Sequence, residues 1–314
     1  MKIRKIGSLD VSVVGLGCNN FGWRIGAEET AKVVDAALDS GINFLDTADV
    51  YGQGQSEEFL GRVLAGRWNR VVIATKFGNK MDEERQGASP RYVKQALEDS
   101  LKRLKTHRID LYQLHRPDAK TPIEDTLGAL DDLVRAGKVR EIGSSNFSAG
   151  LIRAAETAVR PGASRFVSVQ NEYSLIQREP ERDVLPECVQ RGIGFLPYFP
   201  LGNGLLTRKY RRGQFFPPGS RAEAGFGPKV FTEQNLALAE SLAQFAESRG
   251  HTILELAFCW LLSRPAVASV IAGAKSPDQM TANAKAASWE LTNDDLARVD
   301  AILAQFAAEE VATR

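Results

Sequence analysis

Apolar and polar positions along the chain follow two periods that alternate. Short, mostly apolar runs such as VVIATK at 71–76, IDLYQL at 109–114 and IGFLPY at 193–198 read as buried strands. Between such runs the apolar residues recur at three- and four-residue spacing. Val33, Val34, Ala37 and Leu38 do so within 28–40, which marks one face of a helix. Gly41, Gly137 and Gly192 each follow the last periodic position, where a left-handed residue can end a helix. Taken in order, the pattern predicts a β-hairpin from 2–6 and 9–14, a buried strand at 13–17 and a helix at 28–40. Strand–helix pairs follow at 42–46 and 55–65, 71–76 and 90–105, 109–114 and 122–136, 139–144 and 148–159, and 165–170 and 181–191. Strand 193–198 leads through a long irregular stretch into helical periodicity across 232–263. Strand 267–271 and helix 277–288 come next, and an amphipathic helix at 292–306 ends the pattern.

Units of this kind can build a doubly wound sheet, but eight of them in a chain of 314 residues fit a closed barrel better. The expected fold is therefore α/β: a (β/α)8 TIM barrel with an N-terminal β-hairpin and additional C-terminal helices. No linker or repeat interrupts it, so residues 1–314 are expected to form a single domain.

Composition narrows the partners. With 43% hydrophobic and 25% charged residues the chain is ordinary for a globular protein, and a net charge of +1 sets up no field to recruit nucleic acid or an acidic membrane surface. No run of about 18 apolar residues is present, and the opening Met1-Lys2-Ile3-Arg4 does not lead into a signal-peptide core. Cys18, Cys188 and Cys259 are scattered, as are His107, His115 and His251, with no metal-ligand spacing. These features predict a cytoplasmic protein without a metal, nucleic-acid or membrane partner. The sequon Asn146-Phe147-Ser148 then reads as chance.

In a barrel of this kind the active site lies at the C-terminal ends of the strands. The predicted strands end in Gly17, Asp46, Lys76, His115, Ser145-Asn146, Gln170, Tyr198 and Ala272-Gly273. An acid, a base, an imidazole, amides and an aromatic ring would thus converge on one mouth. The stretch 42–58, INFLDTADVYGQGQSEE, adds Tyr51 in a loop bounded by Gly52 and Gly54. Asp46 and Lys76 end neighbouring strands and can pair; a lysine held charged in this way is expected to lower the pKa of a nearby tyrosine. Tyr51 could then protonate a developing alkoxide while His115 orients the substrate oxygen. No Ser or Cys stands beside a general base, so the site is suited to polarising a carbonyl, with a hydride supplied by a cofactor. Gly15-Leu16-Gly17-Cys18-Asn19-Asn20 lacks the third glycine of a Rossmann fingerprint.

The segments LDTADVYG, VIATKFG, DLYQLHRPD, IGSSNFS, VQNEYS, PYFPLGNGLL and VIAGAKSPDQ, in this order, resemble those of the aldo-keto reductases over essentially the whole length. The resemblance implies Tyr51 as proton donor, Asp46 and Lys76 as its charged partners, and His115 as the substrate-orienting imidazole. It implies that Ser145, Asn146 and Gln170 hold the nicotinamide carboxamide and that Tyr198 stacks on the nicotinamide. Leu201, Gly202 and the loop after them would clasp the pyrophosphate. Gly273, Lys275, Ser276, Gln279 and Asn283 would meet the adenosine end. Cys18 and Asn19 depart from a threonine and an aromatic common in the family, Gln279 from an arginine, and Ala282 from a glutamate.

The expected activity is NADP(H)-dependent reduction of aldehydes or ketones, with NADPH preferred and NADH tolerated. A sugar or alcohol dehydrogenase on the same site and a cofactor-binding, channel-associated subunit are the alternatives, although no long N-terminal extension for docking is seen. Ser276-Pro277-Asp278-Gln279 has the form of a helix start, so it either caps a helix or receives a 2′-phosphate with Lys275. The loop 202–229 carries Arg208, Lys209, Arg211, Arg212, Arg221 and Lys229 against Glu223, a composition suited to folding over a phosphate. Trp23, Phe77 and Phe199 are candidates for an apolar mouth.

Overall fold

The computed structural model describes residues 1–218, 220, 222–225, 227 and 229–312, with 307–312 described by backbone alone. Strands β1 (Ile3–Ile6) and β2 (Leu9–Ser12) form the antiparallel hairpin, turning at Gly7 with φ +54. The parallel strands are β3 (Val14–Gly17), β4 (Phe44–Asp46), β5 (Val72–Phe77), β6 (Ile109–Leu114), β7 (Val139–Ser145), β8 (Phe166–Glu172), β9 (Gly194–Tyr198) and β10 (Val270–Gly273). They are hydrogen-bonded in the order β10-β3-β4-β5-β6-β7-β8-β9. The ring closes just before β10: the Phe195 N–H donates to the Ala266 carbonyl at 2.7 Å, and the Ala268 N–H to the Phe195 carbonyl at 2.9 Å.

Helices α1 (Ala27–Asp39), α2 (Gln55–Val63), α3 (Pro90–Leu104), α4 (Ile123–Arg135), α5 (Ala149–Ala158), α6 (Val184–Arg191), α7 (Glu233–Ser248), α8 (Ile253–Leu262), α9 (Pro277–Lys285) and α10 (Asn293–Ala312) surround it. This is the expected (β/α)8 barrel with its hairpin and extra C-terminal helices. Among the described residues no helix is long and apolar enough to cross a membrane.

Most boundaries shift by a few residues from the sequence expectation, and two of the differences have a visible cause. The periodicity over 232–263 is two helices, because Gly250 takes φ +77 and a capping box of Thr252 and Glu255 starts α8 afresh. The last strand lies at Val270–Gly273 because its ladder is set by Val14–Gly17 of β3, and Val267 only bridges to Phe195.

The core has two parts. One lies between sheet and helices. The other fills the lower barrel, where Phe44, Val72, Ala74, Leu111, Leu196 and Ile271 meet Ile6, Leu9 and Val11 of the hairpin, which plugs that end. Side chains alternate in and out along each strand, so inward rows can be followed upward. Phe44 leads to Asp46, Val72 and Ala74 to Lys76, Leu111 to Gln113, and Leu196 to Tyr198. Each row begins apolar and ends polar. That change of character places a polar layer on an apolar plug, at the C-terminal mouth.

Candidate active site

Lys76 is fully buried, and its ammonium donates to Asp46 Oδ2 at 2.7 Å and to the Thr47 carbonyl at 2.8 Å. The ammonium lies 5.1 Å from the Tyr51 ring centroid, so its charge acts on the phenol. Burial works against the charge on Lys76, but Asp46 and Tyr51 outweigh it and the lysine pKa is raised. Asp46 Oδ1 accepts from Gln170 Nε2 at 3.0 Å and from Gln113 Nε2 at 3.3 Å, so both carboxylate oxygens are occupied. The His115 ring meets the Tyr51 ring edge-on at 5.9 Å. Burial, followed by the charges of Lys76 and Arg116, pushes the His115 pKa well down, so its imidazole is neutral.

The tyrosine corrects one expectation. Lys76 does lower the Tyr51 pKa, but burial of the phenol is the larger effect, and the net shift is upward. The phenol therefore remains a protonated donor throughout the neutral range, rather than an acid poised near neutrality.

The loop carrying Tyr51 is held from both sides. Gly52 has φ +56, and a Cβ there would meet the Phe21 carbonyl at 2.9 Å; Gly54 has φ +95, and its Cβ would meet Arg103 Cδ at 2.9 Å. Only glycine fits both the conformation and the space. Beneath the loop the Asp49 N–H donates to the Lys76 carbonyl at 3.1 Å. Buried Glu57 accepts from Thr75 Oγ1 at 2.5 Å and from Arg103 Nε at 2.7 Å. Asp49 is buried with Oδ1 unpartnered among the described residues, and burial, then Glu57, raises its pKa to about 7.

At the ends of β7 to β9 the amides form a chain. Ser145 Oγ donates to the Gln170 carbonyl at 2.8 Å. Asn146 Nδ2 donates to the His115 carbonyl at 2.9 Å and to Ser145 Oγ at 3.1 Å, and the Tyr198 hydroxyl donates to Asn146 Oδ1 at 2.8 Å. Asn146 (φ +60) and Phe199 (φ +50) hold left-handed conformations that non-glycine residues seldom adopt, here at the rim of the mouth.

A cleft of about 480 Å³ runs from this cluster to the end of β10, lined among others by Asp46, Tyr51, His115, Tyr198, Lys209, Lys275 and Asn283. After β9 the chain makes a 3-10 turn over Gly202–Thr207, with Asn203 and Gly204 left-handed, and a Cβ on Gly204 would meet Lys209 Nζ at 2.7 Å. Beyond β10, Ser276 Oγ accepts from the Gln279 N–H at 3.3 Å, and Gln279 Oε1 accepts from the Lys275 N–H at 2.9 Å.

The aldo/keto reductase family model matches residues 13–304. The chain belongs to the aldo/keto reductase family. It is similar to the aldo-keto reductase YhdN of Bacillus subtilis, 35% identical over 96% of this chain and 93% of that one. It is also similar to the versiconal hemiacetal acetate reductase of Aspergillus parasiticus, 31% identical over 92% of each. Among solved structures, the glycerol dehydrogenase AKR11B4 from Gluconobacter oxydans is 33% identical, with a TM-score of 0.85 over 97% of this chain and 95% of that one. The protein is thus an aldo-keto reductase of the NAD(P)H-dependent oxidoreductase class, in a family that acts on small carbonyl or sugar substrates.

For this aldo-keto reductase the structure brings Asp46, Tyr51, His115, Ser145, Asn146, Gln170, Tyr198 and Leu201 to the cleft, with Lys76 buried just behind its wall. Gly273, Lys275, Gln279 and Asn283 line its other end. Gly202 does not line it: the residue is buried, with Ile176 at 3.4 Å from where a Cβ would lie. Ser276 is also off the lining, with its hydroxyl used as the cap of α9.

The basic loop is committed elsewhere in part. Arg208 pairs with Glu247 at 2.8 Å and Arg212 with Glu233 at 3.3 Å, while Lys209 reaches the cleft. Arg221 lies outside the described residues. Of the apolar-mouth candidates, Phe199 lines the cleft, Phe77 is buried against Tyr112 at 4.7 Å, and Trp23 is exposed off the lining. Sequence reasoning missed Gln113, although its inward position in IDLYQL, one step below His115, is a readable signal. It also missed Asn20, whose Oδ1 is buried beside the cleft without a partner among the described residues.

Proposed function

We propose that the protein reduces aldehydes or ketones to alcohols with NADPH, with Tyr51 as the proton donor. The observation that carries this reading is the buried cluster Asp46–Lys76–Tyr51, in which a lysine fully withdrawn from water donates to a carboxylate and to the Thr47 carbonyl and holds its charge 5.1 Å from the Tyr51 ring centroid. Such a lysine stabilises negative charge on the phenol oxygen as its proton leaves, which assists the transfer in the transition state rather than in the resting enzyme. Neutral His115 donates a hydrogen bond to the same substrate oxygen and so fixes its distance from Tyr51.

A bound nicotinamide supplies the hydride. The residues fit that group: Tyr198 offers a ring held in place by Asn146, Gln170 keeps its side-chain carbonyl for a carboxamide, and unpartnered Asn20 Oδ1 awaits a hydroxyl or amide donor. The turn at Gly204 suits a diphosphate, because the Lys209 ammonium packs directly on the glycine, where a Cβ would meet Nζ at 2.7 Å, and both line the cleft. The cap of α9 uses the N–H of Gln279, and Pro277 has none, so that helix end has little left to offer a phosphate. Preference for NADPH accordingly rests on Lys275 as a point charge, with NADH tolerated. The similar glycerol dehydrogenase favours a second reading, oxidation of a polyol at the same site. A panel of aldehydes, ketones and polyols assayed with both cofactors separates the two. Carbonyl reduction with NADPH faster than any polyol oxidation is expected; failure to reduce any carbonyl would overturn the first reading.

A further inference from the structure

Among the described residues, five charged ones line the cleft: Arg24, Asp46, Arg116, Lys209 and Lys275. Asp46 is neutralised at 2.7 Å by Lys76, so the surface that a ligand meets is positive. Lys209 and Lys275 stand at the end suited to the phosphates of a dinucleotide. Arg116 does not. It follows His115 directly in the chain and lines the cleft with it, with Tyr51 and with Tyr198, which places it beside the reacting end, where its charge acts on both the His115 imidazole and the Tyr198 phenol. Its side chain is exposed and makes no ion pair with any carboxylate among the described residues. Glu172, paired across β8 and β9 with Tyr198, does not line the cleft, and burial, then Glu179, raises its pKa.

A guanidinium left unpaired at the reacting end of an already positive cleft has no role in holding the nicotinamide or in protonating an alkoxide. We infer that Arg116 anchors an anionic group on the substrate, so that the preferred carbonyl compounds carry a carboxylate or a phosphate. The inference rests on the carbonyl-reductase reading above and names the substrate class for it. The planar fork of arginine matches either group through two parallel hydrogen bonds, and it leaves the carbonyl free to reach Tyr51 and His115.

Matched substrates test this. Succinic semialdehyde is compared with its methyl ester, and glyceraldehyde with its phosphate ester, in the parent, Arg116→Gln and Arg116→Lys. In the parent, kcat/KM is expected to favour the anion of at least one pair by about tenfold or more, the worth of a charge-assisted hydrogen bond, and which pair shows it tells carboxylate from phosphate. The preference should shrink with added salt, since Arg116 is exposed. Arg116→Gln should bring the ratio close to one while kcat/KM for the neutral partner stays within about threefold, and Arg116→Lys should restore part of the ratio. A parent without anion preference in either pair, or a preference that survives Arg116→Gln, overturns the inference and leaves the reductase reading intact. If no aldehyde is reduced, the reductase reading fails instead. Calorimetry on the NADP⁺-loaded protein then decides the anion site: tighter binding of hydroxybutyrate than of its amide, lost in Arg116→Gln, supports it, and equal binding overturns it.

Discussion

The two ends of the cleft are built in opposite ways. Around Tyr51 the groups are buried and committed to one another: both oxygens of Asp46 are taken, Lys76 has no contact with solvent, and the loop is fixed by glycines that admit no side chain. At the other end Lys275 and Gln279 are exposed, and the side chains of Ser276 and Gln279 close a helix cap. A site whose parts hold each other rigidly can act on a transition state, whereas an exposed one can only adjust affinity. Substitutions at the first end should therefore be costly to rate and fold together, and those at the second should change only preference.

The largest effect is expected at Lys76. Lys76→Met leaves Asp46 buried without its counter-ion, a change that costs about 3–5 kcal/mol when a buried pair is broken, and it removes the support for the phenol. Urea unfolding should report the first loss and steady-state reduction a fall of about 10²–10⁴-fold. A variant that keeps both its stability and its rate would erase the contrast between the ends.

Tyr198→Ala acts between the ends. Cofactor titration followed by quenching of protein fluorescence should show weaker binding by about tenfold, with a smaller change in the rate of the bound complex. An unaltered dissociation constant would remove Tyr198 from the cofactor site.

Asp49 sharpens the comparison through pH. Its carboxyl holds a proton up to about 7, against an ordinary value of 3.8, because burial and then Glu57 disfavour the charge. A raised folded-state pKa contributes stability that is complete below the unfolded value and is lost as the pH rises through the folded one. The melting temperature of the parent should thus decline from about pH 5 to about pH 8, and Asp49→Asn should flatten that decline. Parallel curves for the two proteins would mean that Asp49 is ionised throughout.

The smallest effect is expected at Lys275. Lys275→Ala should lower the preference for NADPH over NADH by only a few-fold, since an exposed charge is screened. A parent that prefers NADH, or a variant with undiminished preference, would show that the 2′-phosphate is not read there.

What could be read from the sequence divides along the same line. Strand direction and the in–out alternation are local, so Asp46, Lys76, His115, Gln170 and Tyr198 could be assigned to one mouth from their positions alone. The inward row that ends in Gln113 and His115 obeys the same rule, although only its last member was noticed. The loop 202–229 could not be read this way, because Arg208 and Arg212 are directed by Glu247 and Glu233 of α7, partners that no local pattern announces. The direction of the Tyr51 shift was also out of reach. Sequence names the neighbouring lysine but not the depth of burial, and burial is the larger influence.

The central claim is that Tyr51 gives the proton while the rest of the cleft binds. Tyr51→Phe keeps the ring and deletes only the hydroxyl, so rate and cofactor affinity measured on the same sample separate the two roles. The account predicts a fall in kcat of at least about 10²-fold with the cofactor dissociation constant unchanged. Reduction within a few-fold of the parent, at equal cofactor affinity, would contradict it.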